Sequence, residues 1–335
     1  MIKISRFDNA GKISTVLGRL FSFTLLAVVA ISFFYRQDLI DYYRLHGYVA
    51  PASIVQLSTE TTMTPLAQRV FYVNHPQLKD KVAFANSCPN RGGEKTIILG
   101  CYHGNQNGVY LLQVVDKRLN GVIQVTAAHE TLHAFYDRLS SSERSHVDAM
   151  LLDYYHNGLK DQRIKDTIDG YRQSEPKDLV NEMHSIFGTE VATLPHDLET
   201  YYQHYFKDRS KVIAYAEQYQ GEFSSRQAAI KQDDQQLSDL KHKFNALEAS
   251  LAQEQTQITA RQQDLIAKQR SGDIAGYNAG VAPYNASIDS YNSQVRLVQS
   301  LVSQYNQLVN SRNELASEVS ELSAALSTNA AQLNR

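Results

Sequence analysis

Residues 129–133 read His-Glu-Thr-Leu-His, and this H-E-x-x-H pattern strongly constrains how the surrounding chain can fold. On a helix, residues four positions apart share a face, so the imidazoles of His129 and His133 can point at one ion. Zn²⁺ suits imidazole nitrogen, and a catalytic zinc site keeps one coordination position for water. Glu130 then lies where its carboxylate can accept a proton from that water. The pattern predicts a buried helix with a zinc centre, with His129 and His133 as ligands and Glu130 as the base.

The residues around this pattern are small, apolar or uncharged. Thr126 and Ala127 precede it, Thr131 and Leu132 lie within it, and an alanine and a phenylalanine follow. This context resembles the zincin metallopeptidases, in which charged residues are avoided around the ligands. A buried helix that carries two histidines by chance is the alternative interpretation.

A second short motif extends the resemblance. Residues 181–185 read Asn-Glu-Met-His-Ser, which is similar to the N-E-x-x-S element of the gluzincin branch. In that branch a glutamate from a second helix completes a His₂Glu site. The resemblance therefore implies Glu182 as the third ligand, with His184 and Glu190 as the alternatives.

The chain departs from the family patterns in two places. Ile186 stands where an aspartate of the gluzincin motif orients a ligand histidine, so Glu190, Asp178 or a backbone carbonyl would have to do this. Tyr136 and Leu139 stand where the other zincin branch has a glycine and a third histidine, so that branch is not indicated.

The N-terminal region is apolar and is preceded by positive charge. A basic flank leads into the run Leu20 to Tyr35, which becomes long enough to span a bilayer if 16–19 are included. We expect a transmembrane anchor over 16–35, with 1–15 in the cytoplasm and the rest of the chain outside it. A signal peptide cleaved after residues 28–30 is the alternative. The basic residues of the flank are Lys3, Arg6, Lys12 and Arg19.

The segment 36–64 is predicted to be a stalk. Residues 38–44 can extend the helix beyond the membrane, and Gly47, Pro51 and the hydroxyl-rich run 58–62 then indicate a connecting segment. Three β-strands are then expected, over 70–73, 96–102 and 109–115, from their β-branched and aromatic residues. In the resembled family, a strand at the sheet edge pairs with an extended peptide substrate.

Cys88 and Cys101 are the two cysteines of the chain. Export would place them in an oxidising environment, so a disulfide between them is expected. Two free thiols or one-sided metal binding are the alternatives.

The region from 116 to 219 is expected to be helical. The active-site helix should run from about Gly121 to Arg138, and Ser140 with Glu143 should form a capping box. A donor for the oxyanion of the attacked carbonyl is expected downstream. The candidates are Tyr201, Tyr202, His204, Tyr205 and His196.

The C-terminal third carries two heptad series separated near Gly272. Its apolar residues recur every seven positions, which predicts an antiparallel coiled-coil hairpin, or self-association through either helix. Pro283 should kink or delay the second helix. The first series is Leu237, Phe244, Leu251, Ile258 and Leu265, and the second begins Tyr277, Tyr284, Tyr291.

Together these features predict a fold with three parts. They are an N-terminal transmembrane helix, an α+β zincin-like catalytic domain over 65–219 and a coiled-coil arm over 220–335. The predicted function is a membrane-anchored, exported zinc metallopeptidase, an endopeptidase acting on peptides or proteins. The predicted contacts are the membrane, through the N-terminal helix, and an envelope partner or a second copy, through the arm. The net charge of −2 gives no indication of nucleic-acid binding.

The main alternative function is a structural envelope scaffold. In that interpretation the coiled coil is the working part and the zincin-like domain is not catalytic. The presence of Glu130 favours an enzyme, because a structural zinc site needs no base.

Overall fold

The computed structural model describes residues 22, 24–26, 28, 29, 31, 32, 34–89 and 99–328. The chain divides into two compact units. The first is built mainly from residues up to Gln218, and the second is Tyr219–Ala325.

The first unit is mostly helical and contains one small sheet. A 3₁₀ turn precedes the fifth helix, and a π-helical turn at Tyr154–Gly158 follows the sixth. The elements in chain order are α1 (Arg36–Leu45), α2 (Ala52–Glu60), α3 (Pro65–Val73), β1 (Gln77–Lys79), α4 (Lys81–Ser87), β2 (Gly100–His103), β3 (Gly108–Leu112), α5 (Val122–Arg138), α6 (Ser141–Asp153), α7 (Gln162–Ser174), α8 (Leu179–Glu190) and α9 (His196–Tyr202), followed by the start of α10 (Arg209–Ser271).

The sheet has the strand order β1–β3–β2, with β1 parallel and β2 antiparallel to β3. Side chains alternate between the two faces of a strand. On β3, Val109 and Leu111 enter the main core, while Leu112 packs with Phe84 and Cys88 in a smaller cluster on the other face. The sheet therefore separates two apolar clusters.

The predicted α+β fold class is wrong, because the first unit is mostly helical and its sheet is small. The segment 70–73, predicted as a strand, is the last part of α3. Thr64 caps this helix by accepting a hydrogen bond from the Ala67 N–H at 3.2 Å, and Pro65 occupies its first turn. These are strong helix-start signals, and they outweigh the β propensity of the Val-Phe-Tyr-Val run. The other two predicted strands are present in shortened form, although 96–98 lie outside the described residues.

The fold class is also wrong on the N-terminal membrane-spanning helix. None of the helices formed by the described residues is long and apolar enough to cross a membrane. Several positions of the predicted anchor over 16–35, including 16–21, lie outside the described residues.

The helix expected over 38–44 is present as α1, but the rest of the predicted stalk includes α2, and both helices pack into the first unit. Ile54 and Leu57 of α2 are buried in its core. Asp41 of α1 is 2% exposed, and its carboxylate accepts hydrogen bonds from Arg138 at 2.8 and 3.1 Å. Arg69 approaches the same carboxylate at 3.1 Å. This buried ion network fixes α1 to the end of α5.

Two further local features position the helices that matter for the site. The capping box predicted at Ser140 and Glu143 is confirmed, and it starts α6 directly after α5.

Arg209, which is 5% exposed, donates to the backbone carbonyl of Val191 at 2.6 Å and to the Glu199 carboxylate. Because Val191 directly follows α8, Arg209 satisfies a carbonyl that the helix end leaves free.

The second unit consists of two long antiparallel helices, the rest of α10 and most of α11 (Ile274–Leu326). They are joined at Gly272, where the heptad pattern predicted a turn. Pro283 lies inside α11, which continues through it. At least four polar side-chain contacts connect the helices, and the partners in each lie at nearly equal sequence distances before and after Gly272. The contacts are Arg226–Glu318, Asp234–Arg312, Glu254–Gln294 and Arg261 with the Pro283 carbonyl.

We expect the isolated segment 219–325 to fold as a monomeric hairpin. Its apolar seam and the four polar contacts are all satisfied within one chain, so no second copy is needed. The segment should be strongly helical by circular dichroism, with a Tm that does not change with protein concentration. A Tm that rises with concentration would show that the helices pair between chains instead.

Candidate metal centre

The site is built on α5, which carries the H-E-x-x-H residues in the middle of a buried helix. Twelve residues of this helix are buried, including Glu130 and His133. The side chain of His133 is 10% exposed and that of His129 is 16% exposed, so little of either imidazole is in contact with water. The surrounding packing therefore restricts where the two imidazoles can point.

Helix α8 packs along α5 and brings Glu182 to the two histidines. Gly188 makes this close packing possible. A Cβ at this position would lie 2.4 Å from Leu132 Cδ1 and 2.7 Å from Tyr202 Cε1, so a larger residue would separate the helices.

The three predicted ligands converge on one point. His129 Nε2 lies 3.5 Å from Glu182 Oε2, and His133 Nε2 lies 3.4 Å from Glu182 Oε1. The ligand atoms of all three residues lie within 4.8 Å of one another. Ligand atoms ~2.1 Å from a tetrahedral zinc ion are separated by ~3.4 Å. The side chains are therefore already spaced as a His₂Glu site requires.

Glu182 has the environment expected of a metal ligand. Its Oε2 atom is buried and has no hydrogen bond among the described residues. Burial acts to raise the pKa of this carboxyl, but the neighbouring His133 and His129 outweigh it and lower the pKa below its ordinary value. A buried carboxylate is costly unless it is paired or binds a metal. The orphaned oxygen fits a cation between Glu182 and the histidines.

Asn181 orients one of the histidines. Its Oδ1 accepts a hydrogen bond from His133 Nδ1 at 2.9 Å. An amide oxygen can only accept, so His133 carries its proton on Nδ1 and presents the Nε2 lone pair toward Glu182. This role of Asn181 was not predicted from the sequence. The position of Asn181 as the first residue of the N-E-x-x-S motif could have indicated it.

The carboxylate of Glu130 lies beside the ligands and against the sheet. Burial raises its pKa to about 7, and the charge of Glu182 acts in the same direction, while His133 and the backbone N–H of Tyr102 oppose them. A carboxyl group with a pKa near neutrality can both accept and release a proton at pH 7. A Cβ on Gly100 of β2 would lie 2.6 Å from Glu130 Oε1, so glycine lets this strand reach the Glu130 carboxylate.

The structure places the alternative ligands elsewhere. His184 follows Glu182 by two positions on the same helix, which rotates its side chain by about 200°. It therefore points away from the helix face that carries Glu182. Its Nε2 accepts a hydrogen bond from the Tyr201 hydroxyl at 2.8 Å, and burial lowers its pKa to about 3. Glu190 forms an ion pair with Arg163 at 2.8 Å.

The candidate oxyanion donors do not form one group. The Tyr205 hydroxyl donates to the Tyr201 hydroxyl at 2.9 Å, and the Tyr202 hydroxyl donates to the backbone carbonyl of His184 at 2.7 Å. His196 and His204 are exposed. The three tyrosines therefore belong to a hydrogen-bonded cluster around His184, and none of the five is assigned as the oxyanion donor.

The two cysteines are joined. Cys88 caps the C-terminal end of α4, Cys101 lies in β2, and their sulfurs form a disulfide. The bond ties α4 to the strand that approaches Glu130.

Comparison of the chain with protein-family models, curated proteins and solved structures finds no match.

Replacing any of the three proposed ligands should remove zinc. His129→Ala, His133→Ala and Glu182→Ala should each lower zinc content, measured by atomic emission on the purified chain. Asn181→Ala leaves the ligands in place but frees the His133 ring, so zinc affinity should fall ~10–100-fold. Glu190→Ala is the control and should retain zinc. A Glu182→Ala protein that keeps full zinc while His184→Ala loses it would refute the assignment.

Gly188→Ala should separate α5 from α8 and loosen the site. The added methyl group enters a packed core, so the free energy of unfolding should fall by ~1–3 kcal/mol, and zinc affinity should fall with it. Gly170→Ala is a matched control in α7, because a Cβ there meets nothing within 4 Å. That control should be neutral or stabilising in thermal denaturation. Equal stability of the two variants would contradict the packing argument.

Proposed function

We propose that this chain is a zinc-dependent hydrolase that cleaves peptide bonds. In this proposal His129, His133 and Glu182 bind the metal and Glu130 is the general base. One observation carries it: both oxygens of the buried Glu182 carboxylate face the histidines of the H-E-x-x-H motif. Oε2, which has no hydrogen bond among the described residues, lies 3.5 Å from His129 Nε2, and Oε1 lies 3.4 Å from His133 Nε2.

Zinc held by these three side chains would act as a Lewis acid on water and on the substrate carbonyl. The protein supplies the rest of the proposed reaction. Glu130 accepts the proton of the attacking water and later gives it to the leaving amine. The Asn181 hydrogen bond keeps the His133 ring in the orientation that exposes Nε2.

The position of β2 supports a peptide as the substrate. This strand lies at the edge of the sheet, and it has no second neighbouring strand within the described chain. Its Gly100 approaches Glu130 directly. An extended peptide that paired with such an edge would pass close to the base, as in β-strand addition.

The disulfide supports an oxidising location for the first unit. Disulfides persist in exported proteins and are rare in reducing compartments. We propose that the mature enzyme works outside the cytoplasm, in agreement with the export predicted from the sequence.

Glu130→Gln tests the proposed chemistry directly. Glutamine keeps the size of the side chain but cannot act as a base, so zinc content should be unchanged while peptide cleavage falls by ~10²–10⁴-fold. Cleavage would be followed by mass spectrometry of a peptide library incubated with the zinc-loaded chain. Glu217→Gln, at an exposed carboxylate of α10, is the control and should keep full activity.

Two outcomes would refute the proposal. One is a zinc-loaded wild-type chain that cleaves no peptide in the library. The other is a Glu130→Gln variant as active as the wild type.

A further inference from the structure

Strand β2 has two faces with different chemistry. Gly100 faces Thr126 and Glu130 of α5, and the Tyr102 hydroxyl donates to Asp137 of the same helix at 2.7 Å. Because alternate residues point to opposite faces, Cys101 and His103 lie together on the side away from α5. The strand therefore presents a sulfur and an imidazole behind the candidate metal centre.

Cys88 supplies a second sulfur to this pair. It lies at the end of α4 and is 7% exposed. The ligand atoms of Cys88, Cys101 and His103 all lie within 4.8 Å of one another. The His103 ring packs edge-on against Tyr110, with ring centroids 5.0 Å apart. Two sulfurs and one imidazole nitrogen converge here without any change of the backbone.

This donor set is one that zinc prefers. Thiolate and imidazole ligands in a tetrahedral arrangement are typical of zinc sites, and water can fill a fourth position. Pairing with β3 fixes Cys101 opposite Tyr110 and His103 opposite Gly108, so two of the three ligands are held by the sheet. The disulfide occupies both sulfurs in the oxidised chain, which prevents metal binding in that state.

We propose that the reduced chain binds a second Zn²⁺ ion through Cys88, Cys101 and His103. A dithiol reductant gives two electrons and two protons to the disulfide and becomes a disulfide itself, leaving two thiols on this chain. Metal binding then releases one proton from each thiol. The two sulfurs move apart to the ~3.8 Å that ligands ~2.3 Å from one tetrahedral ion require. This site is independent of the His129, His133 and Glu182 site and of the proposed hydrolase activity.

The test uses Co²⁺ as the probe on the full-length chain, oxidised or reduced with a phosphine. Thiolate ligands give cobalt a near-ultraviolet charge-transfer absorption, which the His₂Glu site cannot produce because it has no sulfur. The reduced chain should bind one more Co²⁺ ion than the oxidised chain and should show this absorption. Absence of the absorption in the reduced chain at saturating Co²⁺ would overturn the proposal.

Two variants identify the ligands. Cys101→Ser removes one of the two thiolates, so the charge-transfer absorption should fall by at least about half. His103→Ala leaves the disulfide intact in the oxidised chain, so folding is preserved, and after reduction it should bind Co²⁺ at least ~10-fold more weakly at this site. His242→Ala, at an exposed histidine of α10, is the control and should behave as the wild type. An unchanged affinity and absorption in His103→Ala would exclude the imidazole and overturn the three-ligand site.

Discussion

The first unit depends on a buried carboxylate that lies between two imidazoles. Removing a charged group from water costs several kcal/mol after relaxation, and that cost is recovered only where opposite charge or a metal is at hand. Glu182 is placed in this position by the packing of α8 on α5 at Gly188. The backbone around it is also fixed, because Arg209 satisfies the carbonyl of Val191 just beyond α8. The candidate metal centre and the packing of α8 on α5 therefore depend on the same contacts.

The parts of the structure that could be predicted from sequence are those specified by local spacing. The i, i+4 histidines, the Ser140 capping box and the heptad series each repeat or pair within one helix, so no distant contact decides them. Glu182 could be singled out only by resemblance to a known motif, since its approach to His129 depends on two helices whose packing is not a local property. The hydrogen bond that Asn181 accepts from His133 also joins these two helices, so it could not be predicted from local spacing either.

The errors have physical causes of the same kind. The run 70–73 has strong β propensity, but a capped start at Thr64 and burial of one helical face decided its conformation. The stalk was predicted within 36–64 because Gly47, Pro51 and the hydroxyl-rich run 58–62 interrupt its apolar pattern. Ile54 and Leu57 of this segment nevertheless lie in the core, and Asp41 is buried because Arg138 and Arg69 surround it. Composition could not reveal partners almost one hundred residues away.

The contacts of the helical hairpin have a consequence for how its length can vary. Arg226, Glu254 and Arg261 continue the heptad position of the buried Leu240, and each reaches a partner on α11. An insertion in one helix alone would shift every pair beyond it out of alignment. Equal insertions or deletions of whole heptads on both sides of Gly272 keep all remaining pairs aligned. The length of the hairpin can therefore change by whole heptads while the contacts that remain keep their geometry.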